Sequence, residues 1–90
     1  MDLRDDRVLR NFMTDGRLHT IPSKHAKRLV VLDHIAQSFE PGRTYPEPEV
    51  NAILERFHPD YAALRRYLVE DQFLTREDAV YWRSGGTFDV

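Results

Sequence analysis

Apolar positions recur at helical period through most of the chain and fall to a period of two near its end. Over residues 24–39, Leu29, Leu32, Ile35, Ala36 and Phe39 lie within one arc at about 100° per residue, so a helix there packs on a core. Val30 and Val31 sit off that arc, which implies burial on more than one side. A second stripe, Val50, Ile53, Leu54 and Phe57, has i, i+3, i+4, i+7 spacing. Tyr61, Leu64 and Leu68 mark a third, over residues 60–71. A fourth covers residues 3–13, with Leu3, Val8, Leu9, Phe12 and Met13 available to one face. After Asp71, residues 73–75 and 80–83 predict two short strands around a polar turn, Arg76-Glu77-Asp78-Ala79.

Turn and cap residues set the expected boundaries. Asp15-Gly16 ends the first helix, the glycine taking a left-handed terminating conformation. Residues 17–21 alternate and read as a short strand, or as an extended segment free to lie against the C-terminal hairpin. Pro22-Ser23 launches the longest helix with Ser23 as its N-cap, and Glu40-Pro41-Gly42 closes it. Pro46 and Pro48 fit the first turn of the next helix, where Glu47 and Glu49 meet the positive end of the dipole. His58-Pro59-Asp60 stops that helix and starts another, with Pro59 at its first position. Residues 43–83 thus run strand, helix, turn, helix, hairpin, the layout of a winged helix-turn-helix. The expected fold class is α+β, mostly helical, with four helices and a C-terminal β-hairpin. One domain covers residues 1–90, with 84–90 as a fraying tail. Phe12, Leu29, Leu32, Ile35, Val50, Ile53, Leu54, Phe57, Leu64, Leu68 and Leu74 are expected in the core.

Composition narrows the class. An apolar share of 41% and a charged share of 31% belong to a globular chain, and no apolar run has the length of a bilayer span, so no membrane partner is expected. Met1-Asp2-Leu3-Arg4 lacks a signal peptide's pattern. Cysteine is absent, which removes disulfides and thiolate chemistry and makes the cytoplasm the expected location. A net charge of −2 argues against a strongly basic nucleic-acid binder. Where the charges sit therefore matters more than their sum.

Between Gly16 and Leu32 there are four basic residues, Arg17, Lys24, Lys27 and Arg28, and no acid. Lys24, Lys27 and Arg28, with His25, occupy the first two turns of the long helix, where the dipole disfavours each exposed cation by roughly 0.3–1 kcal/mol. Free N–H groups among cations make a site for phosphate or carboxylate. Arg17, Ser23, Lys24, Lys27 and Arg28 are its candidates. The alternative is a solvated lysine face with Arg28 paired to an acid elsewhere. Arg65 and Arg66 lie on the helix that would enter the DNA major groove, with Arg76 at the tip of the wing, and these three are the DNA-contact candidates. Residues 60–71 nonetheless hold three acids and two bases, so the alternative is that one arginine ties this helix to nearby acids and the other is solvated. Tyr81-Trp82 alternate faces, which sends one ring to the core. His19, His25, His34 and His58 lack metal-ligand spacing, and Ser23, Ser38 and Ser84 lack a nucleophile-elbow context. No catalytic residue, metal or cofactor is expected, and an enzyme is not the reading.

The motifs Asp15-Gly16-Arg17-Leu18, Ile21-Pro22-Ser23-Lys24, Lys27-Arg28-Leu29, Leu64-Arg65-Arg66 and Tyr81-Trp82-Arg83 are similar to those of a bacterial family called domain of unknown function 2087. The resemblance spans roughly residues 8–83, with Pro46 and Pro48 as minor departures. That family has no established biochemical activity; its domain stands alone or follows a helix-turn-helix of the arsenic-repressor type in transcriptional regulators. The resemblance implies a transcription-regulation domain that binds DNA weakly or assists a regulator protein, with both basic clusters as its sites. The alternative is a protein-interaction or anionic-effector-binding module with no DNA contact.

Overall fold

The stripes read from the sequence meet in one core. The computed structural model describes residues 3–88. The side chains of Leu3 and Arg4, and the expectations that touch Met1, Asp2, Asp89 and Val90, lie outside the described part. Among the described residues four helices, α1 (Leu3–Phe12), α2 (His25–Ala36), α3 (Glu47–Glu55) and α4 (Tyr61–Glu70), surround a core finished by five short strands. Strands β1 (Met13–Thr14) and β2 (Arg17–Leu18) form a two-stranded ladder. Strands β3 (Thr44–Pro46), β4 (Leu74–Glu77) and β5 (Val80–Arg83) form an antiparallel sheet in the order β3-β5-β4. The C-terminal hairpin is therefore β4–β5, and β5 is the central strand of the sheet.

Leu32, Ile35, Val50, Ile53, Leu54, Leu64, Leu68 and Leu74 are buried as their periods require, and Val31, off the main arc of α2, is buried with them. Helix α2 thus buries more than one side. Phe12, Leu29 and Phe57 were expected inside but sit half-buried at the core's edge, packed against it. Phe57 places its ring edge-on to His34.

Several boundaries differ from those the sequence suggests. Asp15-Gly16 is not a helix terminator but the turn of the β1–β2 hairpin. Both residues have positive φ, +52° and +80°, as a two-residue hairpin turn of this hand needs. The Leu18 N–H donates to Phe57 O at 2.8 Å and the His19 N–H to Phe12 O at 2.9 Å. Residues 17–21 accordingly lie against the end of α1 and the α3–α4 connection, with residues 17–18 pairing with β1 as β2. Ser23 is not the cap of α2: Lys24 holds that position and supplies no side-chain bond. At the other end, Gln37, Ser38 and Phe39 continue in tight turns, their N–H groups donating to the carbonyls three residues back. That keeps Phe39 fully buried although the helix has ended. Pro46 closes β3 and caps α3. Asp60, not Pro59, opens α4, its side chain accepting the Ala63 N–H at 3.2 Å.

The first part of the tail is tied to α2. Thr87 donates its N–H to Asp33 Oδ1 at 2.6 Å and its hydroxyl to Oδ2 at 2.8 Å. Glycine is needed on the way: a Cβ at Gly85 would lie 2.3 Å from the Gln72 carbonyl oxygen.

Candidate functional site

At the start of α2 the candidate residues separate by type. Arg17 Nη1 donates to Arg56 O at 3.0 Å and Glu55 O at 3.4 Å, satisfying carbonyls left open at the end of α3. Arg28 Nη1 reaches back to Ser23 O at 3.2 Å and Pro22 O at 3.4 Å, and its guanidinium lies 4.4 Å from the centre of the Tyr67 ring. Both arginines are engaged with the protein itself, Arg28 with carbonyls and a ring instead of the acid expected. The acid nearby, Asp71, takes His25 Nε2 at 3.0 Å. Ser23, Lys24 and Lys27 are exposed, and the two lysines form no ion pair among the described residues. With Phe12, Ile21 and Pro22 they line a cleft of about 260 Å³.

The second cluster lies between α4 and the β4–β5 hairpin. Tyr81 donates its hydroxyl to Glu47 Oε1 at 2.6 Å. Arg65 Nε stands 3.7 Å from that same oxygen and Arg76 Nη2 4.0 Å. Arg65 also donates through Nη1 to Asn51 Oδ1, and Arg76 through Nε to Asp78 O at 2.6 Å. Arg76 is not at the tip of the turn; it lies within β4, opposite Tyr81. Glu47 is the first residue of α3, where the helix dipole favours a carboxylate. Its hydrogen bond from Tyr81 holds its carboxyl below the usual range; partial burial opposes this, and Arg65 and Arg76 reinforce it. Burial pushes the Tyr81 phenol up, and the bond to Glu47 and its charge push it further, against the two arginines. Arg66 is exposed, with Nε 3.9 Å from Glu70 Oε1. A groove of about 330 Å³ separates Arg65, Arg66 and Glu70 on α4 from Arg76 and Tyr81 on the hairpin.

The family described as an uncharacterized protein conserved in bacteria, domain of unknown function 2087, matches residues 17–83. The chain belongs to that family. The matched span contains both clusters, from Arg17 through Arg28 and from Glu47 through Tyr81. No curated protein and no solved structure gives a significant match. Among the described residues no helix is long and apolar enough to cross a membrane.

Residue-by-residue reading missed the acceptor that joins the second cluster. Glu47 looked like a dipole residue and nothing more, because its partners come from positions 65, 76 and 81. Arg83 was missed too. It is 8% exposed, donates to Phe39 O and Gly85 O at 3.4 and 3.2 Å and to Thr87 O, and lies 4.3 Å from the centre of the Phe88 ring. A signal for it existed. Along β5 the period of two puts Arg83 on the same side as the buried Tyr81.

Proposed function

We propose that this chain is a small transcription-regulation domain of winged-helix type that contacts duplex DNA weakly, or in support of a regulator protein, through α4 and the β4–β5 hairpin. One observation carries the reading: Arg66 on the helix and Arg76 on the hairpin, both exposed, flank a single groove. A helix and a wing offering cations together suit a phosphate backbone. The element order and the β3-β5-β4 strand order support the winged reading. The proposed setting is cytoplasmic, and the task is binding, not catalysis. Arg65, held by Asn51 and Glu47, drops behind Arg66 and Arg76 as a contact.

Because residues 60–71 are net negative and offer few base-reading side chains, attraction to phosphates supplies most of the affinity. Anisotropy of a labelled duplex against salt should give weak binding, with a log–log slope of about −0.9 per phosphate neutralised. Lys24→Glu with Lys27→Glu should flatten that slope if the α2 start joins the contact. A folded protein that leaves duplex DNA untouched at low salt ends the reading. The cleft beside Lys24 and Lys27 favours a second one, an anionic effector or partner with no DNA contact. Selective movement of the 23–28 amides on adding phosphate, without DNA binding, would select it.

A further inference from the structure

Three groups converge on one oxygen of Glu47, and they come from three different strands and helices: the Tyr81 hydroxyl from β5, Arg65 from α4 and Arg76 from β4. The carboxylate itself opens α3, where the helix dipole favours an anion, although the Glu47 N–H is given to Ala79 O at 2.9 Å and Pro48 has none to offer. Two guanidiniums and a hydroxyl aimed at one point are what a protein assembles around a phosphate. Here the protein's own carboxylate fills the place. Only the Tyr81 contact is at hydrogen-bond distance; the guanidinium nitrogens at 3.7 and 4.0 Å attract without bonding. Neither arginine grips Glu47 in a two-pronged fork. The Glu47 side chain keeps 31% of its exposure and Arg76 52%, so solvent reaches the cluster, and Arg65, Arg76 and Tyr81 themselves line the groove.

We propose that Glu47 is a built-in anion that occupies a phosphate seat between Arg65, Arg76 and Tyr81, and so limits how strongly the groove beside α4 holds an external phosphate. This rests on the groove being the anion-facing surface proposed above. The charge balance gives the direction. Three arginines facing Glu47 and Glu70 leave a formal charge of +1, and loss of the Glu47 charge alone raises that to +2. For a charge arriving some 6–8 Å away, the change should tighten binding about three- to thirty-fold, depending on local screening.

Glu47→Gln keeps the shape and can still accept the Tyr81 hydroxyl. Inorganic pyrophosphate is the probe, followed through the Nε–H NMR signals of Arg65, Arg66 and Arg76. The Gln variant should bind three- to thirty-fold more tightly than the native protein, with Arg65 now responding; Glu47→Asp, which keeps the charge, should stay near native. A merely structural Glu47 would not produce that order. Equal or weaker binding by the Gln variant overturns the proposal. If that variant does not fold, the native protein decides: Arg66 shifting while Arg65 stays still supports it, and any other pattern overturns it. Tighter pyrophosphate binding by a Gln variant that ignores duplex DNA leaves this inference standing and removes the DNA reading.

Discussion

The start of α2 and the groove beside α4 each gather basic residues, yet the fold uses them in different ways. At α2 the arginines are consumed by main-chain carbonyls, and the lysines are left in water. In the groove, two arginines share one carboxylate, and the third keeps an exposed pair with Glu70 and a place 5.4 Å from the centre of the Tyr67 ring. A guanidinium carries five donors in a fixed fork, so it can close a helix end or a loop that an ammonium cannot. Counting cations in a sequence therefore overstates the charge a partner would meet. At α2 the free charge is lysine; in the groove it is Arg66 and part of Arg76.

The largest effect separates the arginine from the lysines at α2. Arg28→Ala removes two carbonyl contacts and the Tyr67 stack, and should cost about 2 kcal/mol in urea unfolding. Lys24→Ala and Lys27→Ala should each stay within about 0.5 kcal/mol. If Arg28→Ala were as mild as the lysine changes, the guanidinium would be a free cation and the contrast between the two regions would fail.

Acid comes next, and it should single out the groove. The carboxyl of Glu47 is depressed in the folded state, so the unfolded chain takes up its proton first as pH falls below about 4.5. Its contribution is complete above that value and is lost as pH drops through the folded pKa. Tyr81 runs the other way: raised in the folded state, it contributes fully below about pH 10 and is lost as pH climbs through its folded pKa. Denaturation midpoints across pH should show a shallower acid limb in Glu47→Gln and an unchanged one in Lys27→Ala.

Arg66→Ala should have the smallest effect on stability. Its pair with Glu70 is exposed at both ends, so the change should stay within about 0.5 kcal/mol. If DNA binds as proposed, the same variant should lower the salt slope by about 0.9. A larger stability loss would place Arg66 with the structural arginines.

Much of the fold was legible because a periodic stripe carries its own evidence. Val50, Ile53, Leu54, Leu64 and Leu68 name their faces by spacing alone, and all are buried. Signals shared by two structures failed. Asp15-Gly16 suits both a helix end and a hairpin turn, and only the pairing of Met13 with Leu18 decides. Ser23 looked like a cap, but the helix begins one residue later, and Arg28 Nη1 instead takes the carbonyls of Pro22 and Ser23 ahead of it. The candidate site was legible as residue types and not as partners. Spacing says nothing about a carboxylate at position 47 meeting a hydroxyl at 81, and that meeting decides which arginines remain available.

The place of β5 in the middle of its sheet also fixes an order of events during synthesis. Strand β3 precedes α3, yet its partner is the last strand of the fold. Glu47 and Tyr81 are 34 residues apart, so a ribosome adding roughly 5–20 residues per second separates them by about 2–7 s. Through that interval the backbone of residues 44–46 has no strand beside it, and Glu47 waits without the hydroxyl that will hold it. The groove therefore cannot be complete until β5, the last strand made, has joined β3 to the hairpin.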